Sequence, residues 1–118
     1  MNHYVIAAVI IIAACLVFYK LRSSLATDIP KIKQKLDEGA LVVDVRTVSE
    51  FEMGHYPGAI NIPVDQVGKR LDEFGSKEKP VVVYCASGGR SASAKSYLNS
   101  MGYQDVTNAG GLSDMPSY

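Results

Sequence analysis

Two short apolar runs, residues 41–45 and 81–84, limit what this chain can fold into more than any other feature. Both are rich in valine, are bounded by turn-forming or polar residues, and are too short for helices of their own, which is typical of strands. Neither follows a regular alternation of apolar and polar residues, so both faces of each strand are expected to be covered. The sequence therefore predicts an α/β fold with a mostly parallel sheet and helices on both faces.

Amphipathic segments predict the helices that accompany these strands. Residues 67–74 and 91–101 repeat apolar side chains at helical spacing, and each segment is followed by a glycine. Between the two apolar runs, Ser49 is expected to cap a short helical turn that ends at Gly54. Helices alternating with strands in this way favour a single domain built around one sheet.

The N-terminal segment has a different character from the rest of the chain. Residues 5–18 are all apolar, and tyrosines bracket them at positions 4 and 19. As a helix, residues 4–19 would extend roughly 24 Å, which is less than the hydrocarbon core of about 30 Å. Spanning would then require local thinning of the bilayer or snorkelling of the flanking cations. We predict a transmembrane anchor over residues 1–24, bound to the membrane through residues 4–19, and one folded domain over residues 25–118.

A cleaved signal peptide and a buried core helix are the alternatives to this anchor. A signal peptide should begin with positive charge, but residues 1–4 contain no Lys or Arg, whereas Lys20 and Arg22 follow the apolar run. Positive charge on that side favours a cytoplasmic location for the folded domain. A processed chain would instead be periplasmic or secreted.

Charge and histidine content argue against two classes of function. Residues 25–118 carry ten Lys plus Arg against twelve Asp plus Glu, so no basic surface for nucleic acid is expected. The chain has two histidines, His3 and His55, and no second cysteine lies near Cys85. No metal site and no cofactor are therefore expected.

Cys85 ends the second apolar run, where a loop of small residues leads into a helix. Ligands of parallel sheets bind beyond the carboxyl ends of the strands, which is where Cys85 is expected to lie. Gly88 and Gly89 allow the loop to turn its N–H groups toward its centre, an arrangement that attracts anions. The dipole of the helix that begins near Ser91 and the guanidinium of Arg90 both favour a thiolate.

A free cysteine at the end of a strand is often no more than a small buried residue. The other cysteine, Cys15, lies in the N-terminal apolar run, so the pair does not make a disulfide framework. The Gly-Gly-Arg-Ser continuation onto a helix favours the alternative, a reactive Cys85. Its thiolate is a nucleophile, and the same N–H groups can stabilise a negatively charged persulfide.

Three segments, in this order, resemble the rhodanese family of sulfurtransferases over nearly all of residues 28–115. The last of them is most similar to the small secreted rhodaneses of the phage-shock type. Members of the family often have a tryptophan shortly after the Gly-Gly pair, and this chain has none. The three segments are Asp44-Val45-Arg46 with Glu50-Phe51 and residues 54–63, then the loop of residues 85–90, then Gly102-Tyr103 with residues 108–112.

The resemblance implies a rhodanese-like fold in which Cys85 carries sulfur as a persulfide. It implies a sulfane donor such as thiosulfate and either cyanide or a thiol as acceptor, with a sulfur-acceptor protein as a candidate partner. Asp44, Arg46 and Ser91 are candidate supporting residues, although Asp44 and Arg46 are equally well explained as a structural pair. The substrate is expected to bind to Ala86, Ser87, Gly88, Gly89 and Arg90.

Two other functions remain open. Cysteine phosphatases and arsenate reductases place five residues between cysteine and arginine, whereas four residues, 86–89, stand there in this chain. The shorter loop suits one sulfur atom rather than a phosphate. The other alternative is a membrane-tethered sulfur-relay or protein-interaction module with little small-molecule turnover, and turnover with thiosulfate would distinguish it from an enzyme.

Overall fold

A computed structural model describes residues 2–25 and 29–117, with side chains described for residues 2–17 and 29–117. In this part of the chain, four parallel strands form one sheet in the order β2-β1-β3-β4. The two predicted strands are β1 and β3, which are neighbours in the sheet. The prediction of an α/β fold with a parallel sheet is therefore confirmed. The strands are β1 (Leu41–Asp44), β2 (Ile60–Asn61), β3 (Val81–Cys85) and β4 (Val106–Gly111).

Two hydrophobic cores cover the opposite faces of the sheet. Every residue of β3 is buried, and its side chains enter one core or the other in alternation. Helix α4 (Gly89–Ser100) contributes Ala94 and Leu98 to the first core. Helix α2 (Ile29–Asp37) contributes Ile32 to the second. Coverage on both sides explains why the strand residues do not alternate between apolar and polar.

The carboxyl ends of β1 and β3 lie side by side, and the chain leaves them in opposite directions along the sheet. From β1 the chain continues to β2 on one side, and from β3 it continues to β4 on the other. Asp44, the last residue of β1, is the register partner of Tyr84, which precedes Cys85. In open α/β sheets, the crevice beyond the strand ends at such a point is the usual place for a ligand.

Helical segments differ from the predictions in three places. Residues 67–74 do not form one helix, because 3-10 turns at Val64–Gln66 and Leu71–Phe74 replace it. The apolar spacing there reflects burial rather than a helix, because Val67 and Phe74 are both buried. Helix α3 (Val48–Met53) is capped by Thr47 rather than Ser49, because Thr47 Oγ1 accepts the N–H of Glu50.

The third difference lies at the start of α4, which begins at Gly89 rather than near Ser91. Gly88 has a φ of +102°, which turns the chain directly into the helix, and the N–H of Ala92 donates to the Gly88 carbonyl at 3.0 Å. Only three residues, Ala86 to Gly88, therefore separate β3 from α4. Arg90 consequently lies in the first turn of the helix and not in the loop.

The N-terminal helix α1 spans His3–Leu25, and its described side chains are exposed. No helix within residues 2–25 and 29–117 has the length and apolarity needed to cross a membrane. The predicted transmembrane anchor over residues 1–24, with membrane contact through residues 4–19, is therefore not supported. Its uninterrupted apolar run, residues 5–18, is shorter than the roughly 20 residues that a span requires. The boundary between residues 24 and 25 and the compartment of the folded domain stay predictions.

Candidate active site

Cys85 is the last residue of β3, and its side chain is 1% exposed. The backbone N–H of Gly88 donates to its Sγ at 2.9 Å. The hydroxyl oxygen of Ser91 lies 3.4 Å from the same sulfur. Ala86 and Ser87, the residues between, are exposed. The sulfur therefore lies under a tight turn, between the end of a strand and the first turn of a helix.

The surroundings of Cys85 act on its ionisation in opposite directions. Burial on its own raises the pKa of the thiol, because the charged form loses contact with water. The side chain and backbone of Ser91 and the backbone N–H groups of Ser87 and Gly88 outweigh burial and lower the pKa from 9.0 to about 7. A substantial fraction of Cys85 is therefore thiolate at neutral pH, which is the nucleophilic form.

Arg90 is held above this site by a carboxylate from α3. Its Nη1 and Nη2 donate to Glu50 Oε1 and Oε2 at 2.6 and 3.1 Å. This hydrogen bond to Arg90 is the main reason that the pKa of Glu50 falls to about 2. Glu50 has the larger effect on the guanidinium and Cys85 a smaller one, and both raise the pKa of Arg90. Arg90 thus interacts with a carboxylate and with the thiolate together.

Glu50 is a site residue that the sequence reasoning missed. It occupies the third position of α3, where its carboxylate also accepts the backbone N–H of Thr47 at 3.3 Å. The signal that would have found this position is the Thr-x-x-Glu capping box of residues 47–50. That pattern places Glu50 in the first turn of α3. It does not predict the bond to Arg90, which is 40 residues away in the sequence and is brought close only by the fold.

Asp44 and Arg46 form a buried ion pair at the end of β1. The Arg46 Nη2 donates to Asp44 Oδ2 at 2.7 Å and to the carbonyl of Gly54 at 2.6 Å. The backbone N–H of Arg46 donates to Asp44 Oδ1 at 2.9 Å. Asp44 is 0% and Arg46 8% exposed. The pair fixes the chain at both ends of α3, and through α3 it supports Glu50.

Strand β4 closes the site from the other side. A Cβ at Gly111 would lie 2.3 Å from the carbonyl oxygen of Ala86, and a Cβ at Gly88 would lie 3.4 Å from the Gly110 Cα. The loop and β4 therefore meet backbone to backbone, at a point where the strand register shifts beside Val83 and Tyr84. Sequence reasoning also missed these contacts, although the Gly110-Gly111 pair that ends β4 is visible in the sequence.

Four of the predicted residues, Ser87, Gly88, Arg90 and Ser91, act on the sulfur of Cys85. Ala86 and Gly89 belong to the same stretch of chain between β3 and the first turn of α4. The side chains of Asp44 and Arg46 bond to each other at the neighbouring strand end, as expected of a structural pair. Both cysteines are free. Across the described residues, no three His, Cys, Asp or Glu side chains gather in a group that could hold a metal ion.

The chain is similar to known proteins in sequence and in fold. The profile of the rhodanese-like domain matches residues 28–115. Thiosulfate sulfurtransferase PspE of Escherichia coli is 43% identical over 74 residues, which cover 62% of this chain and 71% of that protein. A sulfurtransferase of Allochromatium vinosum is 38% identical over 86 residues, 71% of this chain and 79% of its own. The human single-domain sulfurtransferase TSTD1 superposes with a TM-score of 0.65 and 30% identity, over 72% of this chain and 88% of that structure.

Proposed function

This chain belongs to the rhodanese-like family and transfers sulfur through a cysteine, and on that premise we propose that thiosulfate or a similar sulfane is its donor. Cys85 carries the sulfur as a persulfide. The observation that supports this most strongly is the position of Cys85 Sγ, which accepts the Gly88 N–H at 2.9 Å and has a pKa near 7. It is a nucleophile surrounded by donors.

The reaction is a double displacement. The Cys85 thiolate attacks the outer sulfur of thiosulfate and forms a new S–S bond. The old S–S bond breaks, and its electron pair leaves with sulfite. The negative charge now rests on the outer sulfur of the persulfide. Cyanide or a thiolate then attacks that outer sulfur, and the electron pair of the S–S bond returns to Cys85.

The loop supports this reaction because its N–H groups stabilise negative charge on the thiolate and on the persulfide. Backbone N–H groups that converge on Sγ in the thiolate are close to the outer sulfur in the persulfide, which carries the same charge one atom further out. Arg90 adds positive charge at the same place, reduced by its pairing with Glu50. The short connection from Ala86 to Gly88 suits a single added atom, whereas a phosphoryl group brings three oxygens that each need a donor.

A protein acceptor is the second part of this proposal. Ala86 and Ser87 are exposed directly beside the buried sulfur. An acceptor cysteine on another protein can therefore approach along the loop, as a small thiol would. In that case the chain acts as a sulfur relay, and transfer from a partner persulfide is faster than turnover with thiosulfate and cyanide.

Intact mass spectrometry of the full chain tests the donor and the carrier together. On exposure to thiosulfate, we expect the wild-type chain to gain one sulfur atom, about 32 Da, and to lose it on addition of cyanide. Cys85→Ser should gain nothing and should retain its fold, because the substitution is nearly isosteric. Cys15→Ser is the matched control and should gain sulfur as the wild type does.

Three results would contradict the proposal or one of its parts. Sulfur uptake by Cys85→Ser would remove Cys85 from the mechanism. Ready hydrolysis of aryl phosphates without sulfur uptake would show that loop length does not select the substrate. If the wild-type chain takes sulfur from a persulfide but not from thiosulfate, the donor assignment is wrong and the relay is correct.

A further inference from the structure

Ser91, beside Cys85, has a hydroxyl with more acceptors around it than protons to give. Its side chain is fully buried. The Oγ lies 2.7 Å from Asn108 Oδ1, 3.1 Å from the Gly88 carbonyl oxygen and 3.4 Å from Cys85 Sγ. The Gly110 carbonyl is further away, at 3.5 Å. A hydroxyl donates a single hydrogen bond. When one of these acceptors receives that bond, the others receive none from Ser91.

The orientation of the Asn108 amide is fixed by its two other hydrogen bonds. The N–H of Gly110 donates to Oδ1 at 2.9 Å, and Nδ2 donates to the Gly88 carbonyl at 3.2 Å. If the amide were flipped, Nδ2 would face the Gly110 N–H and Oδ1 would face the Gly88 carbonyl, and both hydrogen bonds would be lost. Oδ1 therefore faces Ser91. Because Oδ1 carries no proton, Ser91 is the donor in the 2.7 Å bond.

We propose that Asn108 is a positioning residue that sets the reactivity of Cys85 by competing with its thiolate for the Ser91 proton. While Ser91 donates to Asn108, its lone pairs face Cys85 and suit a neutral sulfur. When Cys85 ionises, the hydroxyl turns toward the sulfur, and Asn108 Oδ1 keeps only the Gly110 N–H. The Ser91 proton stays on its own oxygen throughout. The loss of the Asn108 bond offsets part of the stabilisation that Ser91 gives to the thiolate.

This competition serves both halves of the sulfur transfer. A thiolate that is stabilised too strongly is a poor nucleophile, and the best attacking thiol has a pKa near the ambient pH. Once the persulfide forms, charge moves from Sγ to the outer sulfur, and the Ser91 hydroxyl returns to Asn108. Asn108 therefore holds the Ser91 hydroxyl with its proton away from Sγ and its lone pairs toward Sγ, which suits a neutral sulfur.

Charged groups around Cys85 come from four elements, and Asn108→Ala and Ser91→Ala leave them unchanged. Arg90 belongs to α4 and its partner Glu50 to α3. The Asp44–Arg46 pair ends β1. Asp114, beyond β4, accepts the N–H of Gly111 at 2.8 Å. Asn108 and Ser91 are uncharged, so a change at either one leaves this set intact unless an acid is introduced.

The test is the pH dependence of Cys85 alkylation by iodoacetamide in the full chain, in a Cys15→Ser background. This readout needs no sulfur donor, so it is independent of the proposal about thiosulfate. Asn108→Ala removes the nearest competing acceptor of the Ser91 hydroxyl and should lower the pKa of Cys85 by up to about one unit, the value of one neutral hydrogen bond. In a Ser91→Ala background the same substitution should have no effect, because no hydroxyl is left to compete for.

Asn108→Asp provides a second variant of nearly the same size, should the alanine variant fail to fold. It offers a stronger acceptor to Ser91 and adds negative charge, so the pKa of Cys85 should rise. The part of the rise due to Ser91 should disappear in the Ser91→Ala background, and the part due to charge should remain. Equal shifts with and without the Ser91 hydroxyl, for either substitution, would show that Asn108 only supports the loop and would overturn the proposal.

Discussion

The turns after β1 and β3 leave neighbouring strands at the same edge of the sheet, yet they are stabilised in opposite ways. The turn after β1 is held by the side chains of Asp44 and Arg46, which satisfy each other and the Gly54 carbonyl. The turn after β3 carries small residues, and its backbone N–H groups point at Cys85. The first turn leaves little hydrogen-bonding capacity for a ligand, whereas the second has its donors directed at one reactive atom.

External support also differs between the two turns. The side chain of Arg46 bonds to Asp44 and to the Gly54 carbonyl, and the side-chain amide of Asn61 on β2 donates to the backbone carbonyls of Asp44 and Arg46. The loop after β3 depends on distant parts of the chain, namely Glu50 on α3 and the residues of β4. The side chains of the first turn bond to each other, whereas the loop after β3 is held by other elements and keeps its N–H groups directed at Cys85. Substitutions in the two turns should therefore affect different properties.

Loss of the buried pair should have the largest effect, and the effect should be on stability. Arg46→Ala leaves the Asp44 carboxylate buried without its ionic partner, and we expect the free energy of unfolding to fall by about 3–5 kcal/mol. Urea denaturation, followed by circular dichroism, measures this. The matched control is Arg90→Ala, which removes an arginine from a half-exposed pair. It should leave the unfolding midpoint close to that of the wild type and impair sulfur transfer instead. Equal destabilisation by both substitutions would remove the distinction between the turns.

Contact between the loop and β4 should be the next most sensitive feature. Gly111→Ala places a methyl group 2.3 Å from the Ala86 carbonyl. Backbone must then move beside Cys85, and a displacement of about 1 Å can cost roughly a hundredfold in rate. We expect a loss of that order in kcat/KM for thiosulfate.

Gly68→Ala is the control for adding a methyl group to the fold. The nearest atoms to its Cβ would all belong to the Tyr97 side chain, the hydroxyl at 3.0 Å being the closest, and Tyr97 is 40% exposed and able to move. This variant should retain the wild-type kcat/KM. If Gly111→Ala is as active as Gly68→Ala, the close contact with β4 does not shape the loop.

The ionisation of Cys85 predicts the pH dependence of its reactions. Because the thiolate reacts and the pKa is about 7, alkylation of Cys85 should rise about tenfold per pH unit below 7 and level off above it. Stopped-flow alkylation between pH 5 and pH 10, in a Cys15→Ser background, gives the midpoint. A midpoint close to 9 would mean that the N–H groups of the loop do not stabilise the thiolate.

The smallest effect is expected at Glu50. Glu50→Gln keeps an acceptor for Arg90 and removes the negative charge that reduces its attraction for anions. The KM for thiosulfate should fall by about two- to threefold at low ionic strength, and the difference should shrink as salt is added. Glu52→Gln, on the exposed side of the same helix, should leave KM unchanged. A rise in KM for Glu50→Gln would show that the carboxylate is needed to orient Arg90 rather than to moderate its charge.

Local patterns were enough to predict β1 and β3 and to single out Cys85 as the candidate nucleophile. The valine-rich runs predicted β1 and β3 correctly. A strand that is buried on both faces needs apolar residues along its length, so its pattern is visible in the sequence. Cys85 was identified because glycines and an arginine follow it within five positions. The relation of Arg90 to Glu50 and of Ser91 to Asn108 was not predicted, because these partners are 40 and 17 residues apart and meet only through the strand order.

The helical predictions show where periodicity misleads. Apolar spacing correctly marked Val67 and Phe74 as buried, but two 3-10 turns bury them as well as a helix would. The N-terminal run was interpreted from its composition, its length and its flanking charges, with bilayer thinning or snorkelling allowed for its short length. No helix within residues 2–25 and 29–117 has the length and apolarity of a membrane span, so the anchor is not supported.

Contact between the loop and β4 also has a consequence for the order of events during synthesis. The chain grows from its amino terminus, so Cys85 is made before Asn108 and Gly111. Until β4 pairs with β3, the loop lacks the bonds from Asn108 to Ser91 and Gly88 and the backbone contact with Gly111. The surroundings of Cys85 are therefore complete only when the last strand of the sheet is in place.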